Sequence, residues 1–339
     1  MKNISTIGID LAKNVFQLHG VDSAGKVVLK KRLTRRNILP YFANLKPCLI
    51  GIEACCGSHF WARELEQLGH DVHQMPPQYV KAYVKTNKND ANDAEAVCEA
   101  VSRPNMRFVP TKSKEQLSLQ ALHRIRERLV RNRTSLCNQI RGLLLESGIS
   151  VSQGISKIRN MLPILFEDLS NQLTIIERNY LSDLYTELVD LDGKIINIEK
   201  QLQNLSRLST ECQKLQNIPG IGLLTATALV SAIGDVHTFK NGRQFAAWIG
   251  LTPRQHSSGG KDRLMGISKR GNSYLRKLLI HGARSVVYRC RNKDDQRSKW
   301  LAAVENRRGT MKATVAQANK TARIIWAVLK KNEVYCQVA

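Results

Sequence analysis

The chain has 339 residues, with 52 Lys+Arg against 28 Asp+Glu and a formal net charge of +24. That length allows two or three domains of about 100–200 residues, and an apolar fraction of 42% with four Trp excludes a wholly disordered basic tail. No run of about 18 apolar residues marks a spanning helix, and the first residues, MKNISTIGID, read as a strand rather than a secretory signal. Eight scattered Cys with no CxxC pair fit neither a zinc ribbon nor a disulfide scaffold, so a reducing cytoplasm is expected. The charge points to a polyanion, with nucleic acid the default partner.

Residues 1–105 carry a net +4. Ile4–Ile9 is an apolar run, Val15–Val21 alternates, and Asp22-Ser23-Ala24-Gly25 is a turn before a third strand at Val27–Leu29. A helix is predicted over Thr34–Asn44. Leu49-Ile50-Gly51-Ile52 reads as a buried strand ending at Glu53. A helix near His59–Leu68 stops at Gly69, a strand at Val72–Met75 stops at Pro76-Pro77, and a helix spans Asn89–Val101. The order βββαβαβα predicts a mixed α/β domain with one central sheet. Asp10 and Glu53 close apolar strands, and Asp90 and Asp93, three apart, share a helix face. Each acid alone reads as a turn or cap. The four in this order read as ligands for two Mg²⁺ ions about 4 Å apart, a pair suited to phosphodiester chemistry.

Residues 106–215, again net +4, read as a helical arm. Leu122, Ile125, Leu129, Leu136, Ile140 and Leu143 recur at steps of three and four. The run from Leu173 through Ile176, Leu188, Ile195 and Leu202 to Leu205 does so over several heptads. Two helices packed within one subunit and a dimerisation arm both fit this stripe. Val151–Leu165, with Gly154 and Pro163, reads as a connector or short helices. Arg124, Arg126, Arg128, Arg131, Arg133 and Arg141 form either a solvated face or a nucleic-acid backbone contact.

Residues 216–339 carry a net +16, two-thirds of the excess. In LQNIPGIGLLTATALVSAIGD (215–235), Pro219-Gly220-Ile221-Gly222 between helices is a helix–hairpin–helix pattern. Its backbone N–H groups at Gly220 and Gly222 would face a phosphate. The alternative is a plain hairpin with glycine chosen for close packing. Ser257-Ser258-Gly259-Gly260 reads as a flexible polar loop among Arg254, His256, Lys261, Arg263, Lys269, Arg270, Arg276 and Lys277. A serine there would have cations to stabilise attack on a phosphodiester. His256 is either a proton carrier or a loop residue.

GIDLAK at 8–13, IEAC at 52–55 and KNDANDAEA at 88–96 resemble the DEDD insertion-sequence transposases, and Pro219–Arg284, with SSGGK and ISKRGN, resembles their C-terminal transposase domain. Where many relatives have Thr-Gly after Glu-Ala, this chain has Cys55-Cys56-Gly57. The resemblance implies an α/β plus α architecture: a RuvC-like (ribonuclease H) domain at 1–105, a helical coiled-coil arm at 106–215, and a mostly helical transposase domain at 216–339. Asp10, Glu53, Asp90 and Asp93 take the family's metal-binding acidic positions, with Mg²⁺ or Mn²⁺ as cofactor. Ser258 takes the nucleophile's, with Ser257 the alternate. It further implies a covalent phosphoserine, acidic and serine sites joined across subunits, donor and target DNA as partners, and a structured bridge RNA as guide. A homodimer assembling to a tetramer on DNA is implied, as is a bacterial cytoplasmic, nucleoid-associated location. Arg263, Lys269 and Arg270 are inferred phosphate contacts, joined by Arg254, Lys261, Arg276, Arg124, Arg128 and Arg131. No GxxxxGK[ST] is present, in keeping with chemistry that needs no ATP. A metal-dependent junction endonuclease with a structural Ser258, and a non-catalytic nucleic-acid-binding protein, are the competing functions.

Overall fold

A computed structural model describes residues 3–85, 89–291 and 293–336, so Lys88 of the 88–96 motif lies outside it. The chain divides into two compact units, Met1–Lys114 and Glu115–Ala339.

In the first unit, strands β1 (Thr6–Leu11), β2 (Val15–Val21) and β3 (Val27–Thr34) form an antiparallel meander. Its second turn is held by Asp22, whose carboxylate accepts from the Ala24 and Lys26 N–H groups. β3 runs five residues beyond its apolar signal. It is an edge strand, and its exposed Lys30, Lys31 and Arg32 belong to that edge. Thr34 therefore pairs with Val15 instead of starting a helix; a 3-10 turn follows, and α1 covers only Ile38–Ala43. Next come β4 (Leu49–Glu53), α2 (Ser58–Gln67), β5 (Asp71–Met75), a short α3 (Pro77–Val80) that the sequence reading omits, and α4 (Asp90–Val101). The sheet order is β3-β2-β1-β4-β5, with β4 and β5 parallel to β1.

Side-chain alternation divides this sheet cleanly. Ile7, Ile9, Ile50 and Ile52 bury into one core with Phe42, Trp61 and Leu65. Gly8 and Gly51 lie on the opposite face, under α4. A Cβ on Gly8 would stand 2.3 Å from the Ala94 carbonyl oxygen, and one on Gly51 would stand 2.8 Å from Val101 Cβ. Glycine here lets the helix rest on the strands' backbone.

The second unit opens with α5 (Lys114–Glu146), α6 (Ile155–Glu167) and α7 (Ile175–Leu208), the last started by a Thr174/Glu177 capping box. Leu129, Leu136, Ile140 and Leu144 bury against Leu188, Leu191, Ile195 and Leu202, so the apolar stripe packs within one chain. Ile176 departs from that stripe and is 75% exposed. Buried Asp192 accepts from Arg133 at 2.7 Å and from Arg159, and Arg126 pairs with Glu199 at 2.6 Å. Residues Val151–Leu165, expected as a connector or short helices, fold mostly into the helix α6, which accommodates Pro163.

Beyond the arm come α8 (Thr210–Gln216), α9 (Leu223–Ile233), α10 (Gly242–Ile249), strands β6 (Pro253–Ser258) and β7 (Lys261–Ile267), α11 (Ser273–Cys290), α12 (Gln296–Arg308) and α13 (Thr310–Lys331). Phe245, Leu279, Ala322 and Ile325 lie in the core shared by α8, α9, α10, α11 and α13, and Leu301 of α12 packs in a smaller cluster with Val286, Val287, Cys290 and Ala313. Gly220 of the PGIG turn and Gly282 of α11 cross backbone to backbone: a Cβ on Gly282 would stand 1.9 Å from the Gly220 carbonyl oxygen. Buried His123 ties α5 to this core. Its Nδ1 bonds the Tyr274 hydroxyl and its Nε2 the Thr227 hydroxyl, both at 3.0 Å. Among the described residues, no helix is long and apolar enough to cross a membrane.

Gly282→Ala should destabilise the fold by roughly 1–3 kcal/mol through overpacking, read by thermal melting; a wild-type melting temperature would show a slack crossing. Burial, aided by Arg126, lowers the His123 pKa from 6.5 to about 4. The unfolded chain then binds more protons than the fold between those values, so stability should fall as pH drops from about 6.5 to 4 and level off below. His123→Gln should flatten that slope in denaturant titrations run across the range.

Candidate functional site

The acidic residues gather at one end of one sheet face. Thr6, Gly8 and Asp10 alternate onto the α4 side of β1, as Gly51 and Glu53 do on β4, and the Ile9–Ile52 register makes Asp10 and Glu53 neighbours. α4 runs antiparallel to β1. Cys98 Sγ reaches the Thr6 carbonyl at 3.8 Å and the Ala94 carbonyl lies over Gly8, so the helix's first turn points toward Asp10. That turn carries Asp90 and Asp93, opened by Asn89, whose side chain accepts from Asn92 N–H at 2.8 Å. Asp10, Glu53 and Asp93 are half-buried and Asp90 is exposed. Partial burial raises the pKa of the neighbouring Cys55 thiol, and the charges of Glu53 and Asp10 raise it further, which places both carboxylates in its field. Cys55 and Cys56 are exposed in the loop before α2, where Gly57 takes the left-handed conformation at φ 91°.

Four carboxylates are hard oxygen donors of the kind Mg²⁺ and Mn²⁺ take. Among the described residues, no three His, Cys, Asp or Glu side chains are grouped closely enough to hold a metal ion. The donor chemistry and the shared face suit a divalent cation, while the carboxylates are not drawn into a closed cage.

The serine segment is a β-hairpin, not the flexible loop predicted from its composition. Ser257 and Ser258 close β6, and Gly259-Gly260, with φ of 55° and 76°, make a two-residue turn into β7. The Gly-Gly pair between alternating runs is itself a hairpin signal, outweighed in the sequence by the polar composition. The register separates the two serines. Ser257 pairs with Asp262 and shares its face with Gln255: its hydroxyl donates to Asp262 Oδ1 at 2.7 Å, and Gln255 Nε2 donates to both, at 2.8 and 2.9 Å. These bonds hold the Asp262 carboxyl below the usual aspartate range. Ser258 pairs with Lys261 on the opposite face, which also carries His256 and Arg263. Among the described residues, its hydroxyl has no hydrogen-bond partner. Ser257 thus sits against a carboxylate and Ser258 among cations.

The hairpin is exposed along its length except at Ile267, yet its root is tight. A Cβ on Gly250 would stand 2.1 Å from the Arg270 carbonyl oxygen, and one on Gly271 would stand 1.9 Å from that of Trp248. Arg276 donates to the carbonyls of Ile249 and Arg270, at 2.9 and 3.1 Å, so its guanidinium braces this root. Lys269, at φ 54°, and Arg270 are exposed beside it, and Arg254, Lys261 and Arg263 are exposed on the hairpin strands. Gly220 answers to the packing against Gly282, whereas Gly222 opens α9 on the exposed surface.

The arginine run divides by role. Arg126 and Arg133 are spent on Glu199 and Asp192. Arg124, Arg128 and Arg131, at i, i+4 and i+7, form an exposed stripe with no carboxylate partner among the described residues. Sequence reasoning missed Asp262, and although it named Arg124, Arg128 and Arg131 as phosphate contacts it could not see what occupies Arg133 and Arg126, whose partners lie 59 and 73 residues away.

Comparison with known proteins bears on the whole chain. Residues 7–148 match the DEDD transposase family of the IS110 type, and residues 212–299 match the transposase IS116/IS110/IS902 family. The chain is 49% identical over 334 residues to a probable family 20 transposase of Pseudomonas aeruginosa, covering 98% of this chain and 99% of that protein. It is 47% identical over 335 residues to the transposase for insertion sequence element IS1111A of Coxiella burnetii, covering 99% and 92%. To the transposase for insertion sequence element IS1328 of Yersinia enterocolitica it is 40% identical, covering 99% of each.

The division of the arginines is open to test. Replacing Arg124, Arg128 and Arg131 together by Gln should leave the melting temperature unchanged and reduce the salt slope of duplex binding by up to about 2.7, near 0.9 per phosphate contact. Arg133→Gln should instead lower the melting temperature, since it leaves buried Asp192 short of one partner. An unchanged salt slope in the triple variant would make the stripe a solvated face.

Proposed function

Because the chain belongs to the IS116/IS110/IS902 transposase family and is a DNA transposase of an insertion sequence, we propose that it cuts and rejoins DNA through Ser258. Asp10, Glu53, Asp90 and Asp93 are the residues that would hold Mg²⁺ or Mn²⁺. The observation that carries the serine assignment is the partition of the hairpin: Ser257 is hydrogen-bonded to Asp262, and Ser258 lies on the face of His256, Lys261 and Arg263. An anionic phosphate is repelled on the first face and attracted on the second. The sheet order β3-β2-β1-β4-β5, with its acids at one end, supports a ribonuclease H-type reading of the first unit.

In the reaction, the Ser258 hydroxyl gives up its proton as its oxygen bonds to phosphorus. One P–O bond of the DNA breaks, and a proton is delivered to the released DNA hydroxyl. In this reading His256, on the same face, carries that proton. Lys261 and Arg263 stabilise the added charge of the five-coordinate phosphate. A DNA hydroxyl then attacks the phosphoserine and restores the serine, so the phosphodiester is conserved and no nucleotide is hydrolysed. When bound, a divalent cation supplies charge neutralisation at the phosphate and acidifies a bound hydroxyl. The acids' own part is to bind and orient it, Asp10 and Glu53 from the strands and Asp90 and Asp93 from the helix.

The same reading takes target choice to be guided by a structured bridge RNA. Its support is a charge distribution suited to backbones: an exposed arginine stripe and a strongly basic C-terminal third. It takes the protein as a homodimer that forms a tetramer on DNA. Exposed Leu169, Ile175 and Ile176, at 86%, 78% and 75%, support an association surface where α6 leads into α7.

Denaturing gels of the protein incubated with labelled element-end DNA test the chemistry. Ser258→Ala should abolish the covalent adduct and Ser257→Ala should only slow it, while Asp10→Asn or chelation should cut strand cleavage by about 100-fold or more without loss of DNA binding. Adducts that persist without both serines would leave a metal-dependent junction endonuclease. Full activity of Asp10→Asn would remove the acids from the chemistry.

A further inference from the structure

Among the described residues of the second unit, the start of α10, the first half of α12 and one face of α13 enclose a groove of about 1110 Å³ that the reaction above does not use. Its α13 wall runs from Lys312 to Ala327 at steps of three and four, a length of about 22 Å at 1.5 Å per residue. Arg243, Lys312, Lys320 and Arg323 line it and no carboxylate does. Among the described residues, none of the four has an acidic partner; Lys320 instead lies over the Trp300 ring, 4.4 Å from its centroid. Trp326 lies on the same α13 wall, fixed by its N–H bond to the Phe239 carbonyl at 3.2 Å. Four unneutralised cations in one groove repel each other, and a polyanion relieves that cost.

From this we infer that the groove binds an unpaired DNA strand, with phosphates on the four cations and an unstacked base against Trp300. The inference rests on the DNA-transposase reading and adds a substrate-holding site to it. A duplex hides its base faces in the stack, so indoles lining a cationic groove suit a single strand. DNA rather than RNA is favoured by two observations. The groove is bordered by Pro253 and Ile267, the paired residues at the root of the hairpin that carries Ser258, so a strand lying in it leads to the serine that attacks DNA. Among the described residues, the groove is also lined by no hydroxyl or carboxylate side chain that would pair with a ribose 2′-hydroxyl, while Asn319 donates one N–H to the Leu251 carbonyl and the Asn241 side-chain oxygen accepts at the start of α10.

Fluorescence anisotropy on the full-length protein tests this with a labelled oligothymidine of about 20 nucleotides, an oligouridine of equal length and a duplex of equal length. Oligothymidine should bind more tightly than oligouridine and quench tryptophan fluorescence. Trp300→Leu should weaken oligothymidine binding about tenfold. Because Trp300 is half-buried, the exposed pair Lys312→Gln and Arg323→Gln provides a second variant, expected to melt as wild type and to lower the single-strand salt slope by roughly 1.4. Duplex affinity should be unchanged in both. Wild-type oligothymidine binding in both variants, an equal loss on duplex, or tighter binding of oligouridine would each overturn the inference. Ser258→Ala should keep full oligothymidine affinity. Adducts that persist in Ser258→Ala would sink the Ser258 assignment, and adducts that persist without both serines would sink the serine chemistry; either result leaves the groove standing.

Discussion

Two missing side chains set the geometry of the first unit. Gly8 and Gly51 sit side by side on the parallel strands β1 and β4, and α4 lies where their side chains would have been. Any larger residue lifts the helix away from the sheet. The approach also fixes the helix's direction and height, so that its first turn projects toward the strand ends bearing Asp10 and Glu53. Four acids separated by 83 residues at the extremes share one edge of one face because two glycines two residues upstream of the strand acids bear on the helix.

The second unit meets a different demand: to display a reactive side chain in water without letting it wander. A two-stranded hairpin is marginal by itself. Here its root is clamped where Gly250 and Gly271 meet backbone and where Arg276 spans two carbonyls. Strand alternation then does the chemical sorting: one face spends Ser257, Gln255 and Asp262 on each other, and the other is left to Ser258 and the basic groups.

Much of this was legible in the residues. Strand identity, the placing of Asp10 and Glu53 at strand ends and the single central sheet followed from periodicity and turn chemistry, because those signals are local. The misreadings had physical causes. β3 outran its apolar run because an edge strand needs only one buried face. The serine segment read as a loop because an exposed hairpin carries no hydrophobic alternation on either face, and only its Gly-Gly turn gave it away. The structural role of Arg126 and Arg133 was not legible because it depends on carboxylates on a distant helix. Gly220 looked like a phosphate cradle until Gly282 came into contact with it.

The pairing of α5 with α7 makes the arm a ruler with fixed phase. Leucine packing and the Arg126–Glu199 and Arg133–Asp192 ties lock the two helices along their length. One residue inserted into α7 alone would advance everything beyond it by about 1.5 Å and rotate it by about 100°, breaking each tie past that point. Reach can therefore change only by matched insertions in both helices, close to whole turns, and the span of the arm is inherited in discrete steps.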